Sequence, residues 1–323
     1  HGTYESNMAM NKCDLMINVG ARFDDRITGK IDEFSPNSKK IHIDIDPSSI
    51  NKVISVDVGL NGDVAHVLED AIKLWKSKVY KVNKLAVKDW WKQIDKWRKT
   101  DSLKFQVDKK IIKPQHAIQR LYELTKDVDA FITTEVGQHQ MWAAQHYKFN
   151  KPNRWITSGS LGTMGFGLPA AIGVQVAHPD KLVIDIAGEA SILMCMQEMS
   201  TALQHKLPVK VFIINNQYMG MVRQWQELLH DKRYSHSYTD ALPDFVKLAE
   251  AYGAKGIRVD KPEKLDEAIK EMISYDGPVI FDCVVDQYEN VFPMIPSGKA
   301  HNEMLLSNET QKEEISEEGK ALI

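Results

Sequence analysis

The chain has few of the features that mark secreted, membrane or nucleic-acid-binding proteins. Its 323 residues include three cysteines, whose spacing matches neither a disulfide framework nor a metal-binding motif, so we expect reduced and buried thiols. No apolar run approaches the roughly 20 residues that a membrane-spanning helix needs, and no signal peptide is visible. The net charge of -3 argues against a broad basic surface for nucleic acid but does not exclude a local basic patch.

A methionine is also absent from the first position. The chain begins HGTYESNMAM, and we expect it to be cut from a longer protein. Its composition, 43% hydrophobic and 26% charged, is ordinary for a globular protein of about two domains. We predict part of an α/β domain at 1–75, a lysine-rich linker helix at 76–112, a second α/β domain at 113–290, and a C-terminal tail or lid at 291–323.

Residues 181–218 carry the clearest pattern. Apolar runs at 182–186 and 209–214 predict two strands that are buried on both faces. An apolar stripe at helical spacing predicts one helix between them; it consists of Ile192, Met196, Met199 and Leu203. A strand, helix and strand of this length form a right-handed parallel unit, so we predict a doubly wound parallel-sheet α/β domain.

Oxygen-bearing side chains follow both of these strands. Glu189 comes after the first and Asn216 after the second, so a carboxylate and an amide should meet at one carboxyl edge of the sheet. Together with Gly188 and a helix N-terminus, they suit a Mg²⁺ ion that holds a diphosphate. The alternative is ordinary turn chemistry, since Asn-Asn after a strand is common.

Two more loops of the second domain point to the same ligand. Gln138 and His139 can donate hydrogen bonds to phosphate oxygens. The small residues of 162–167 allow close backbone approach and leave Met164 facing a cleft, where it can support a heteroaromatic cofactor. Plain core packing is the other explanation for this methionine.

The first domain gives a weaker nucleotide signal, because no G-x-G-x-x-G motif is present. Arg22 and Arg26 can neutralise phosphate, and Asp44 can accept hydrogen bonds from ribose hydroxyls. Taken alone, the residues favour a solvated loop in which the arginines pair with Asp24 and Asp25.

The chain resembles the catalytic large subunits of the acetohydroxyacid synthase (acetolactate synthase) family along essentially all of its length. The matching runs are HGTYESNMAM, GARFDDRITG, KKIHIDIDPSSINK, VGQHQMWAAQ, TSGSLGTMGFGLPAA, GEASILM, NNQYMGMVRQWQ, RYSHSYTDALPDFVKLAEAYG and VFPMIPSGKAHNEML. The resemblance implies a doubly wound thiamine-diphosphate-binding domain, preceded by part of a Rossmann-like FAD domain.

The resemblance also implies a reaction and partners. The thiamine diphosphate of these transferases decarboxylates pyruvate and joins the remaining two-carbon unit to a second pyruvate or to 2-oxobutyrate. The products lead to the branched-chain amino acids valine, leucine and isoleucine, and a bound FAD takes no net redox part. We expect Mg²⁺, a homodimer or tetramer, a small regulatory subunit, and a cytoplasmic location in bacteria or an organellar one in eukaryotes.

Residue roles follow from the same resemblance. Met164 would hold thiamine in a bent shape, and Trp225 would favour 2-oxobutyrate as acceptor beside the channel residues Met221 and Val222. Residues implied to line the diphosphate and thiazolium are Val136, Gly137, Gln138, His139, Gly162, Gly188, Ala190, Ser191 and Gly220. Implied FAD contacts are His1, Gly20, Arg22, Asp24, Arg26, Asp44, Ile45 and Asp63.

The implied Mg²⁺ ligands are the side chains of Glu189 and Asn216 and the main-chain oxygen of Tyr218. The family usually has aspartate where Glu189 stands, so we expect weaker Mg²⁺ and cofactor binding that Glu189→Asp partly restores. Ser160 stands where the family usually has glycine, with no predicted effect.

The glutamate with which the family activates thiamine matches no stretch of this chain, and Glu135 aligns with the diphosphate loop instead. We therefore expect the chain alone to be inactive. Two alternatives stay open. One is another thiamine-diphosphate enzyme, such as glyoxylate carboligase or a 2-oxo acid decarboxylase, against which Trp225 and RYSHSYTD argue. The other is a non-catalytic homologue that binds the cofactors.

Overall fold

A computed structural model describes residues 1–78 and 80–308. These residues form two compact units, one made of residues 1–104 with the described chain from Phe292 onward, the other of Phe105–Val291. The first unit thus includes most of the predicted linker. The acidic end of the predicted tail lies outside the described residues; it contains Glu313, Glu314, Glu317 and Glu318.

The first unit is built on a three-stranded parallel sheet in the order β1-β2-β3. Its strands are β1 (Leu15–Val19), β2 (Lys39–Asp44) and β3 (Val58–Asn61), and its helices are α1 (Tyr4–Lys12), α2 (Asp25–Thr28), α3 (Val64–Ser77) and α4 (Lys84–Arg98). Short 3-10 turns cover Ile31–Glu33 and His301–Glu303. The side chains of Leu15, Ile17 and Val19 alternate along β1 and are 49%, 55% and 44% exposed. One face of this sheet therefore carries apolar side chains in contact with solvent.

Helix α4 is the predicted linker helix. Asn83 caps its first turn by accepting a hydrogen bond from the Ala86 N–H. It packs against α1, and its Trp90 and Trp97 rings lie edge to face with centroids 5.6 Å apart. This helix therefore packs within the first unit.

The second unit is built on a six-stranded sheet in the order β5-β4-β6-β7-β9-β8, with every neighbouring pair parallel. Its strands are β4 (Phe131–Thr134), β5 (Trp155–Thr157), β6 (Val183–Gly188), β7 (Lys210–Asn215), β8 (Lys255–Val259) and β9 (Val279–Val284). Its helices are α5 (Pro114–Thr125), α6 (Gln138–His146), α7 (Gly167–Ala177), α8 (Glu189–Ile192), α9 (Met199–Gln204), α10 (Gly220–Leu229), α11 (Phe245–Tyr252) and α12 (Leu265–Ser274), with 3-10 turns at Met196–Glu198 and Pro262–Lys264.

Helices cover both faces of this sheet. Every residue of β6 and β7 is buried, and two large apolar clusters hold the helices against the strands. The predicted doubly wound parallel-sheet fold is confirmed.

The crossover between β6 and β7 differs from the prediction. The two strands are parallel neighbours, with Gly188 beside Ile214. The predicted single helix between them is wrong: the chain forms α8, a 3-10 turn at Met196–Glu198 and then α9. The break lies where the backbone of Gly165 packs against this segment, since a Cβ on that glycine would lie 2.9 Å from atoms of Met194 and Cys195.

No helix in the described ranges 1–78 and 80–308 is long and apolar enough to cross a membrane.

Candidate functional site

A cleft of about 470 Å³ opens at the carboxyl edge of the large sheet. It is formed by the loops that follow β4, β6 and β7, together with the loop before α7 and the start of α10. All predicted site residues of the second domain line it except Gly162 and Trp225. Trp142, Ile214 and Met219 complete the lining without having been predicted. These loops are distant in sequence but meet in the fold, because parallel strands all end at the same edge of the sheet.

The two predicted residues that do not line the cleft lie close to residues that do. A Cβ on Gly162 would be 3.8 Å from the Val136 side chain. Trp225 lies one helical turn along α10 from Met221.

Glu189 places a buried carboxyl group in the cleft. It begins α8 directly after β6, its side chain is 1% exposed, and Oε1 has no hydrogen-bond partner among the described residues. Burial raises the pKa of this carboxyl to about 8, although the N–H groups of Glu189, Asn216 and Tyr218 favour its ionised form. A buried carboxyl in this state gains from a bound cation.

The other oxygen donors are amide and main-chain groups. The Asn216 Oδ1 accepts a hydrogen bond from the Tyr218 N–H at 3.2 Å, and its Nδ2 donates to Gln138 Oε1 at 3.1 Å. No group of three or more His, Cys, Asp and Glu residues is placed to hold a metal ion within the described chain. One carboxylate with amide and carbonyl oxygens is a donor set for a hard cation such as Mg²⁺ rather than for Zn²⁺.

His139 and the start of α6 form the anion side of the cleft. Burial lowers the pKa of this imidazole to about 3, so it is neutral, and its Nε2 has no partner in the part of the chain that the structure describes. A Cβ on Gly188 would lie 2.7 Å from its Nδ1, so a glycine is required where the two loops meet. The free N–H groups of a helix N-terminus attract a diphosphate at this point.

Gln138 corrects one prediction. Its Nε2 donates to Gln224 Oε1 at 2.8 Å and to the Glu289 carbonyl at 3.3 Å, so both side-chain N–H bonds are used within the protein. The side chain lines the cleft but is not placed to donate to a phosphate. Its main-chain N–H, at the start of α6, is the group that faces outward from the helix.

Met164 lies in the cleft because Glu135 holds its loop. The Glu135 carboxylate is fully buried and accepts hydrogen bonds from the N–H groups of Gly167 at 3.0 Å and Leu168 at 3.2 Å, and also from Gly165. Burial raises the pKa of this carboxyl, and these N–H groups oppose the rise. Sequence reasoning missed this role; the only signal was an acidic residue directly after a buried strand.

The predicted FAD residues of the first unit, except His1, lie at or after the ends of its strands, and their carboxylates have internal partners. Asp24 caps α2 by accepting from the Arg26 N–H, and Asp63 caps α3 by accepting from the N–H groups of Ala65 and His66. The Asp44 Oδ1 accepts from the Asp46 N–H, while the Gly20 N–H donates to the Ile43 carbonyl.

Arg22 and Arg26 form ion pairs with neighbouring aspartates, as expected if this segment is a solvated loop. The Arg22 Nη2 lies 3.2 Å from Asp24 Oδ2, and the Arg26 Nη2 lies 2.9 Å from Asp25 Oδ2, with both arginine side chains more than half exposed. Ile45, directly after β2, is 69% exposed. The Nδ1 of His1 lies 2.9 Å from the Pro293 carbonyl. The geometry of this unit thus supplies surface cations at a sheet edge.

Comparison with known proteins places these features in a family. The family model described as thiamine pyrophosphate enzyme, C-terminal TPP binding domain, matches residues 135–283, which include every loop of the cleft. The model of the central domain of the same enzymes matches residues 1–71. The chain belongs to the thiamine pyrophosphate enzymes.

Curated relatives narrow this assignment to homologues of acetolactate synthase large subunits. The isozyme 3 large subunit of Escherichia coli (strain K12) is 47% identical over 310 residues, which are 95% of this chain and 54% of that protein. The large subunit of Buchnera aphidicola subsp. Acyrthosiphon pisum is 48% identical over 309 residues, 95% of this chain and 53% of that protein. The large subunit of Cyanidium caldarium is 45% identical over 306 residues, which are 94% of this chain and 52% of that protein. The chain spans about half the length of these relatives.

Proposed function

We propose that this chain provides the diphosphate-binding side of an acetolactate synthase active site. The reaction would be decarboxylation of pyruvate and condensation with a second 2-oxo acid, either pyruvate or 2-oxobutyrate, in branched-chain amino-acid biosynthesis. The observation that carries the proposal is the single cleft in which the predicted diphosphate, thiazolium and cation residues meet around buried Glu189. The names of the curated relatives support the choice of reaction.

Different residues of the cleft would bind different parts of the cofactor. Glu189 and the Oδ1 of Asn216, with the main-chain oxygen of Tyr218, would bind Mg²⁺. Neutral His139 and the N-terminus of α6 would bind the diphosphate. Thiamine diphosphate, when bound, supplies the carbon nucleophile and electron sink for decarboxylation.

Apolar side chains would shape the reacting end. Met164 extends from the loop that Glu135 anchors and would support the thiamine rings. Met221 and Val222 line the cleft at the start of α10, and Trp225 follows on the next turn, where it would contact the acceptor 2-oxo acid. These apolar side chains would keep water from the reacting carbon.

FAD would bind to the first unit, at the ends of its strands. Exposed Arg22 and Arg26 can exchange their aspartate partners for phosphate oxygens, since exposed ion pairs contribute little to stability. The relatives are named as large subunits, which supports a separate small regulatory subunit and an oligomer of full-length chains.

The binding test uses the chain itself. Trp142 lines the cleft, so its fluorescence should report thiamine diphosphate. We expect binding that requires Mg²⁺ and is lost in Glu189→Gln, which keeps the shape but removes the charge. Exposed Glu123→Gln is the matched control and should bind as the wild type does. Binding that is equally strong without Mg²⁺ contradicts the assignment of the cation site.

The activity test separates the alternatives. We expect the full-length protein to form acetolactate from pyruvate, and the 323-residue chain to bind cofactor without forming product, because no stretch of it matches the glutamate with which the family activates thiamine. Carbon dioxide and acetaldehyde without acetolactate would indicate a decarboxylase. Absence of cofactor from the full-length protein would indicate a non-catalytic homologue.

A further inference from the structure

Three side-chain amides connect the cation side of the cleft to the last residues of the second unit. The Asn216 Nδ2 donates to Gln138 Oε1 at 3.1 Å, and Gln138 Nε2 donates to Gln224 Oε1 at 2.8 Å. Gln224 then bonds the main chain of Val291 twice: its Oε1 accepts from the N–H at 2.8 Å and its Nε2 donates to the carbonyl at 3.0 Å. All three amide side chains are at least 95% buried.

The main chain determines which way each amide points. A backbone N–H can only donate and a carbonyl can only accept, so Val291 fixes the Oε1 and Nε2 positions of Gln224. Gln138 faces two acceptors, Gln224 Oε1 and the Glu289 carbonyl, so its nitrogen must point towards them. The Gln138 Oε1 therefore faces Asn216, and the Asn216 Nδ2 must donate to it. The Asn216 Oδ1 is left on the opposite side, where it also accepts a hydrogen bond from the Tyr218 N–H at 3.2 Å.

A glycine keeps room for this chain of amides. A Cβ on Gly220 would collide with Gln138 Oε1 and would lie 3.0 Å from Asn216 Nδ2. The glycine at the start of α10 is thus required by the amides themselves, apart from any contact with a cofactor.

We propose that Gln224 and Gln138 are positioning residues that, together with the Tyr218 N–H, orient Asn216 so that its Oδ1 rather than its Nδ2 faces the cation next to Glu189. The inference rests on the proposed function, since it concerns the Mg²⁺ site of that function. Gln224 lies outside the cleft lining and acts only through Gln138. A reversed Asn216 amide would point a positive N–H₂ group at Mg²⁺ and leave one oxygen ligand fewer.

The test measures how much Mg²⁺ the chain needs to bind thiamine diphosphate, read from tryptophan fluorescence. Gln224→Met fills the same space but removes the nearer of the two acceptors that orient Gln138, and the Glu289 carbonyl remains. We expect the half-saturating Mg²⁺ concentration to rise about 10- to 100-fold, the range found when groups that orient metal ligands are removed.

Gln224→Glu is the control for stability. Its carboxylate can still accept from Gln138 Nε2 and from the Val291 N–H, but its second oxygen faces the Val291 carbonyl. We expect a lower unfolding temperature with Mg²⁺ dependence within about threefold of the wild type, since the orientation of Gln138 is kept. Equal losses of Mg²⁺ affinity in Gln224→Glu and Gln224→Met would show that only stability is involved and would overturn the proposal.

Asn216→Asp provides the decisive background. Both terminal atoms of the aspartate are oxygens, so an oxygen faces the cation whichever way the side chain turns. The other oxygen meets Gln138 Oε1, an unfavourable contact that Gln224→Met allows Gln138 to relieve by turning. Adding Gln224→Met to Asn216→Asp should therefore cause no further rise in the Mg²⁺ requirement, and the two changes should be non-additive. The same fold-loss in both backgrounds would contradict the proposal. A wild-type chain that does not bind thiamine diphosphate with Mg²⁺ would instead overturn the proposed function, and this inference with it.

Discussion

Glu189 is the single residue on which cation binding depends most. Its carboxyl is fully buried beside amide oxygens, and it is one methylene longer than the aspartate that the family resemblance implies. Mg²⁺ requires near-ideal octahedral distances of about 2.1 Å, which a longer side chain in a rigid cleft satisfies less well.

We expect Glu189→Asp to tighten Mg²⁺ binding. The half-saturating Mg²⁺ concentration for thiamine diphosphate binding should fall about three- to tenfold, because the shorter arm draws the carboxylate back towards β6. Calorimetric titration of the apo-protein measures this. The same exchange at exposed Glu123 is the control, and identical Mg²⁺ affinity for Glu189→Asp and the wild type would refute the expectation.

A second buried carboxyl, that of Asp185, should make stability depend on pH. Burial raises its pKa well above the ordinary 3.8, and the nearby charge of Glu135 raises it further. Above pH 3.8 the folded protein therefore holds a proton that the unfolded chain has released. Stability then falls as the pH rises towards the folded pKa, by at most about 1.4 kcal/mol per pH unit.

We expect Asp185→Asn to remove this dependence. The asparagine oxygen can still accept from Thr133 Oγ1, which lies 3.1 Å from the carboxyl in the wild type. In urea unfolding, the variant should be more stable than the wild type at about pH 8, with a smaller difference at about pH 5. Asp127→Asn, at an exposed site, should leave the free energy of unfolding unchanged at both pH values. A difference that stays constant with pH would show that Asp185 is not the titrating group.

At the scale of an element, helix α7 offers two glycines with opposite expected effects. A Cβ on Gly167 would collide with Asp185 Oδ1 and lie 2.7 Å from the Glu135 backbone nitrogen. A Cβ on Gly173, exposed in the middle of the same helix, would meet nothing within 4 Å.

We expect Gly167→Ala to lower the free energy of unfolding by about 1–3 kcal/mol, as overpacking does. Gly173→Ala should raise it by about 0.5–1 kcal/mol, because alanine is the better helix former. Chemical denaturation of both variants gives the comparison. Equal effects of the two substitutions would mean that the contact at Gly167 is relieved by movement of the loop.

The elements also show what sequence alone can predict. Helix α11 begins and ends as its local signals indicate, because Asp244 caps its first turn and Gly253 ends it with φ 87°. The cleft is predictable because parallel strands place their following loops at one edge. The broken crossover after β6 was not predictable, since its apolar spacing fits one helix and the interruption lies where the distant Gly165 loop packs.

Gln224 and Glu135 escape prediction for the same reason. Each acts through main-chain groups far along the chain: Val291 is 67 residues from Gln224, and Gly165 is 30 residues from Glu135. A backbone N–H or carbonyl has no residue type, so no sequence motif reveals such a partner. Only the folded geometry shows that these two side chains position Asn216 and Met164.

At the scale of the whole molecule, the apolar face on β1 should govern how the chain behaves in solution. Leu15, Ile17 and Val19 are each more than 40% exposed along a single strand. Contiguous apolar surface of this kind promotes association.

We expect concentration-dependent self-association of the 323-residue chain, reduced by the double substitution Ile17→Thr and Val19→Thr. Threonine keeps the branched shape that strands favour while lowering the apolar area. Sedimentation velocity over a range of concentrations measures the effect. Buried Ile43→Thr is the contrasting variant and should destabilise the first unit without reducing association. A chain that stays monomeric at every concentration would contradict this expectation.

The amides that end at Val291 also set an order of events during folding. The chain of amides that orients Asn216 is complete only after residues 289–291 have reached Gln224 and Gln138, so we expect the metal site to mature after the strands around it. In refolding, far-UV circular dichroism should therefore recover before Mg²⁺-dependent cofactor binding does. Cation binding should therefore indicate that residues 289–291 have packed against Gln224. We expect a chain that is still being synthesised to bind the cofactor only after its sheet is complete.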